Sequence, residues 1–86
     1  MPDGYSVQLT GSAKKEFARF RQPVTGHILA ALNALSLSPR PRGCKKLSGY
    51  ESRFRVRAGD YRIVYEVNDD DRLVLVYGIR HRSKAY

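Results

Sequence analysis

Alternation of apolar and polar residues marks the two ends of the chain, and helical spacing fills the stretch between them. Tyr5, Val7 and Leu9 are separated by Ser6 and Gln8, the period of a half-buried strand. Thr10-Gly11-Ser12 breaks that strand, and Ser12 is the expected N-cap of a helix. Ala13, Phe17 and Phe20 then share one helical face, with Lys14, Lys15 and Arg19 turned outward. Gln22-Pro23 punctuates, with proline placed where a first helical turn tolerates its missing N–H. Val24, Ile28, Ala31 and Leu35 repeat at helical spacing, Leu32 widens the stripe, and Ser38-Pro39 ends it. Residues 39–52 are rich in proline, glycine, serine and charge and read as loop.

Three alternating runs follow. Phe54 and Val56 sit between arginines, Ala58-Gly59-Asp60 turns, and Tyr61, Ile63, Tyr65 and Val67 form the next apolar set. Asn68 to Asp71 turns again, and the last run, from Leu73 to Arg80, is apolar on both faces. The expectation is an α+β fold in the order β-α-α-β-β-β. An antiparallel meander carries a two-helix hairpin on one face, in a single domain over residues 1–86.

Charge changes the picture more than composition does. The 86 residues hold 16 Lys and Arg against 8 Asp and Glu, a net of +8. Residues 40–86 carry twelve basic and six acidic side chains, so most of the excess lies in the meander. A field of this sign favours a polyanion as partner. One cysteine, Cys44, and two histidines exclude a disulfide scaffold and offer no metal-ligand spacing; no cofactor is expected. His27 reads as structural, and Asp69-Asp70-Asp71 as turn chemistry. No apolar run is long enough for a membrane span and the N-terminus does not pattern as a signal peptide, so a cytoplasmic protein is expected.

Strand parity then gathers the charge. With Phe54, Val56, Tyr61, Ile63 and Tyr65 facing the helices, Arg55, Arg57 and Arg62 fall on the opposite face. In the last strand, Leu73, Leu75, Tyr77 and Ile79 are assigned to the helices. That leaves Val74, Val76, Gly78 and Arg80 with the arginines. Four like charges on neighbouring strands repel, which an anionic ligand would relieve.

Lys45-Lys46-Leu47-Ser48-Gly49, Phe54-Arg55-Val56-Arg57, Gly59-Asp60-Tyr61-Arg62, and the ending His81-Arg82-Ser83 with Tyr86 also carry a resemblance. In this order they resemble the RelE family of type II toxin–antitoxin toxins, within the RelE/ParE superfamily, from Tyr5 to Tyr86. The resemblance implies a ribosome-dependent endoribonuclease that cuts mRNA in the ribosomal A site, using the substrate's 2′-hydroxyl as nucleophile. It also implies rRNA contacts and silencing by a cognate antitoxin with an acidic segment. The matching site positions are Arg55, Arg57, Arg62, Arg80 and Tyr86, with Lys45, Lys46, Arg53, Arg82 and Lys84 as further RNA contacts.

Arginine suits phosphorane stabilisation, because its planar fork donates to two phosphate oxygens at once. It suits proton transfer poorly, since it keeps its proton far above neutral pH. The best-known family members carry lysines where this chain has Arg55 and Arg57. Proton transfer then falls to Tyr86 as base, with an arginine or His81 at the leaving oxygen; Lys84 is a further proton carrier in reach. A ParE-like toxin that binds DNA gyrase, and a degenerate module that keeps only RNA or antitoxin affinity, are the competing readings.

Overall fold

The computed structural model describes residues 4–83. Its elements are β1 (Ser6–Leu9), α1 (Gly11–Ala18), α2 (Val24–Leu37), β2 (Lys45–Lys46), β3 (Arg53–Ala58), β4 (Tyr61–Asn68) and β5 (Leu73–His81). The strands form one sheet in the order β1-β5-β4-β3-β2. β3, β4 and β5 are the antiparallel meander expected from the sequence, whereas β1 joins parallel to β5. Lys45 and Lys46, read as loop, instead pair with Arg55 and Phe54 as a short edge strand. Thr10, not Ser12, caps α1: its extended backbone ends β1 and its Oγ1 accepts the Ala13 N–H at 3.2 Å.

The core lies between the helices and one sheet face. Ala13 of α1 and Ile28, Leu32 and Leu35 of α2 pack with Phe54, Ile63, Tyr65 and Val67 of β3 and β4. Tyr65 is fully buried, its hydroxyl donates to the Pro39 carbonyl at 2.8 Å, and burial raises its pKa. These residues are the apolar sets that periodicity picked out.

The last strand departs from the expectation. Val74 and Val76 are fully buried beneath the helices, while Leu73, Leu75 and Tyr77 face the other way and are only partly covered. Tyr65 pairs with Val76 and Val64 with Gly78, so Tyr77 is one residue too many against β4. That bulge reverses the alternation, and only beyond it do Ile79 and Arg80 take the expected faces. A strand apolar on both sides carries no mark of its phase, so sequence alone had none to read.

The Asp69 turn also binds distant parts of the chain. Its carboxylate accepts two hydrogen bonds from the Arg40 guanidinium, at 3.2 and 2.8 Å, and one from the Tyr5 hydroxyl at 2.6 Å. Those bonds, Arg40 first, hold the carboxyl below its ordinary 3.8. A depressed carboxyl contributes stability above its unfolded value and loses it as pH falls through the folded one. Asp69→Asn should therefore flatten the acid limb of a urea-midpoint profile below about pH 4. The change should be small, because the pair is exposed. An unaltered limb would show that the clamp is not coupled to folding.

Candidate nucleic-acid interface

On the face away from the helices, the meander register aligns the arginines. Arg57 pairs with Arg62, and Arg62 pairs with Arg80, so one row crosses three strands. Neighbouring strands lie about 4.8 Å apart, so the row concentrates positive charge on one face of the sheet. The turn that sets this register runs through Gly59, whose φ of +62° suits glycine. The next row holds Lys45, Arg55, Val64 and Gly78. Between the rows opens a groove of about 370 Å³, lined by Gly43, Lys45, Arg55, Val56, Arg57 and Arg62. Among the described residues, no carboxylate lies within ion-pair distance of Arg55, Arg57 or Arg62.

Arg80 is held differently. Strand β1 ends at Leu9, opposite Val76, which leaves the outer edge of β5 without a strand beyond that point. Glu16 of α1 supplies the missing acceptor: one oxygen takes the Ile79 N–H at 2.8 Å, the other the Arg80 Nε–H at 2.7 Å. One carboxylate thus closes the strand edge and orients the guanidinium. Sequence reasoning missed Glu16 because the contact spans 64 positions and leaves no local trace.

At the other end of β3, Arg53 is stacked against two aromatic rings. Its guanidinium carbon sits 4.4 Å from the Tyr50 ring centre and 4.3 Å from that of Tyr77. Glu66 accepts from the Tyr77 hydroxyl at 2.6 Å and from Ser52 Oγ at 3.1 Å. The Tyr77 bond lowers the Glu66 pKa and raises that of Tyr77.

The ParE toxin family profile, described as the ParE toxin of the type II toxin–antitoxin system parDE, matches residues 7–86. The chain belongs to the RelE/ParE superfamily of type II toxin–antitoxin toxins. Toxin RelE3 of Methanocaldococcus jannaschii is 32% identical over 80 residues, covering 84% of this chain and 89% of that protein. The fold matches the archaeal RelE–RelB complex of Pyrococcus horikoshii OT3 with a TM-score of 0.81 and 27% identity, over 94% of this chain and 98% of that one. It matches the toxin–antitoxin complex RelBE2 of Mycobacterium tuberculosis with a TM-score of 0.80 and 25% identity, over 94% of both chains.

Within this RelE-like toxin the remaining sequence candidates scatter. His81 pairs with Tyr61 in the sheet, and its ring packs edge-on to that tyrosine, 5.3 Å away, on the side where Tyr61 meets Phe20. His81 is therefore across the sheet from the arginine row, because alternation that sends Arg80 one way sends its neighbour the other. Its Nδ1 accepts the Ser83 N–H at 3.2 Å, which places the proton of the neutral ring on Nε2. Arg82 lies 3.8 Å from Asp60, beside the β3–β4 turn. Lys45 lines the groove, whereas Lys46 pairs with Phe54 and so belongs to the other face. Lys84 and Tyr86 lie outside the described residues. Among those described, no cluster of His, Cys, Asp and Glu is arranged to hold a metal, and no helix is long and apolar enough to cross a membrane.

Proposed function

We propose that this toxin is a ribosome-dependent endoribonuclease that cleaves mRNA in the A site. The observation that supports it is the groove lined by Arg55, Arg57 and Arg62, with Arg80 next to Arg62 in the cross-strand row. In the reaction, the 2′-oxygen bonds to phosphorus as its proton passes to a base. The P–O5′ bond then breaks and O5′ takes up a proton, leaving a 2′,3′-cyclic phosphate and a 5′-hydroxyl. Arg57, Arg62 and Arg80 bear the charge that grows on the phosphorane, and Arg55 positions the strand. Tyr86 is assigned as the base from the resemblance of the chain's ending to the RelE family. His81, held on the opposite face, takes no part in this scheme, so O5′ takes its proton from solvent water while an arginine stabilises the leaving oxygen. The archaeal relative solved as a RelE–RelB complex supports an antitoxin as the natural inhibitor, and an acidic segment is the chemistry that would suit the cationic face of this toxin. An mRNA substrate and an antitoxin inhibitor fit a toxin that works in the cytoplasm.

Primer extension on translating ribosomes tests this reading. Discrete cuts within A-site codons, absent from naked mRNA, are expected. Tyr86→Phe should abolish most cleavage and leave RNA affinity nearly unchanged; an equal loss of both would remove Tyr86 as base. The matching family profile is that of ParE, which favours gyrase inhibition as the second reading. Folded, antitoxin-free protein that makes no cuts but blocks gyrase supercoiling would establish that reading instead. Protein that does neither, yet still binds RNA or antitoxin, would be a degenerate module.

A further inference from the structure

We propose that Tyr50 is a stacking platform for an unpaired nucleobase of the bound RNA, a purine by preference. This inference rests on the RNA-cleaving reading above. Tyr50 is one of three large apolar or aromatic side chains that stand exposed among the described residues, and half of its surface is open. One side of its ring is nonetheless occupied, because the Arg53 guanidinium lies over it with Tyr77 beyond. Three flat groups therefore form a column whose outermost member has a free aromatic face.

The column is built before any ligand arrives. Glu66 fixes Tyr77 and Ser52 together, and the Leu47 N–H donates to the Arg53 carbonyl at 2.8 Å. The Tyr50 N–H donates in turn to the Leu47 carbonyl at 3.3 Å, across a turn whose Gly49 has φ +83°. Position matters as much as rigidity. Arg53, Arg55 and Arg57 share one face of β3 and step along it by roughly 6.6 Å each. The platform thus stands one step from Arg55 and the groove, the reach of a neighbouring nucleotide. A cation beneath the Tyr50 ring draws electron density from its outer face, which favours stacking by an electron-rich base. Stacking of this kind tolerates sequence, so Tyr50 would hold the strand without reading a codon.

The test is equilibrium binding of short oligoribonucleotides blocked against cleavage by 2′-O-methyl groups. One carries all its bases, and the others are abasic at successive positions. Tyr50→Ala should weaken binding of the complete oligonucleotide about tenfold. It should leave unchanged the affinity for one abasic form, and Tyr50→Phe should behave as wild type throughout. Arg62→Ala should weaken every oligonucleotide alike. Equal loss by Tyr50→Ala on all forms would assign Tyr50 to holding its loop and overturn the proposal. So would undiminished RNA binding accompanied by weaker antitoxin capture, which would give the ring to a protein partner. If Arg62→Ala weakens binding but Tyr50→Ala does not, RNA recognition stands and the platform falls. Wild-type protein that binds none of the oligonucleotides overturns the platform, while the nuclease reading stands or falls on primer extension with ribosomes.

Discussion

Replacing Arg62 with alanine is expected to slow mRNA cleavage on translating ribosomes by about 10²- to 10³-fold, the loss that follows removal of one preorganised donor at a developing charge. Arg62 stands between Arg57 and Arg80 in the cross-strand row and also lines the groove, so a bound phosphate would meet it from either side. Its side chain is partly buried, which fixes its direction better than that of exposed Arg57. Removing it relieves repulsion among like charges, so the variant should be at least as stable as the parent. Activity and folding therefore move in different directions, and a lost activity cannot be blamed on unfolding. Arg62→Lys keeps the charge but loses the planar fork, and should fall between the two. Single-turnover rates at saturating protein decide the matter: an Arg62→Ala rate within about threefold of the parent would remove Arg62 from the reaction.

The second large effect concerns the core. Ile63→Ala should lower unfolding free energy by about 2–5 kcal/mol, read from urea denaturation. Ile63 is fully buried, paired with Val56 on one side and Ile79 on the other, within the cluster that includes Ile28 and Leu35. A domain of this size holds roughly 5–15 kcal/mol in all, so the variant sits near the edge of folding. Leu75→Ala provides the contrast: it truncates a partly exposed side chain on the other face and should cost much less. Equal costs at the two positions would contradict the packing described for the sheet.

The comparison of those two residues also shows what the sequence could and could not reveal. Strands β3 and β4 were legible because charge alternates with apolar residues, so Arg55, Arg57 and Arg62 declared their face. β5 was not, because Leu73 to Tyr77 are apolar throughout and the bulge at Tyr77 lies in the pairing, not in the composition. Helix spacing identified Ile28, Leu32 and Leu35 correctly, while the choice of cap fell to Thr10 through the backbone direction at the end of β1. Contacts between remote positions were invisible: Glu16 with Arg80, Asp69 with Arg40 and Tyr5, and Arg53 between two tyrosines. Strict alternation past Ile79 would already have separated His81 from Arg80; their adjacency in the chain suggested a shared site that the pleat does not allow.

The two ends of the sheet have a consequence for how copies of this chain meet. One border is the four-residue β1, and the other is β2, a pair of exposed lysines. Neither offers a neighbour a long, uncharged ladder of backbone groups to extend. As concentration rises, approaching molecules at the β2 border encounter cation against cation before main-chain pairing can begin. Resistance to fibre-like stacking is thus a property of Lys45 and Lys46 themselves, and in Lys45 it comes from the same positive charge that faces the groove.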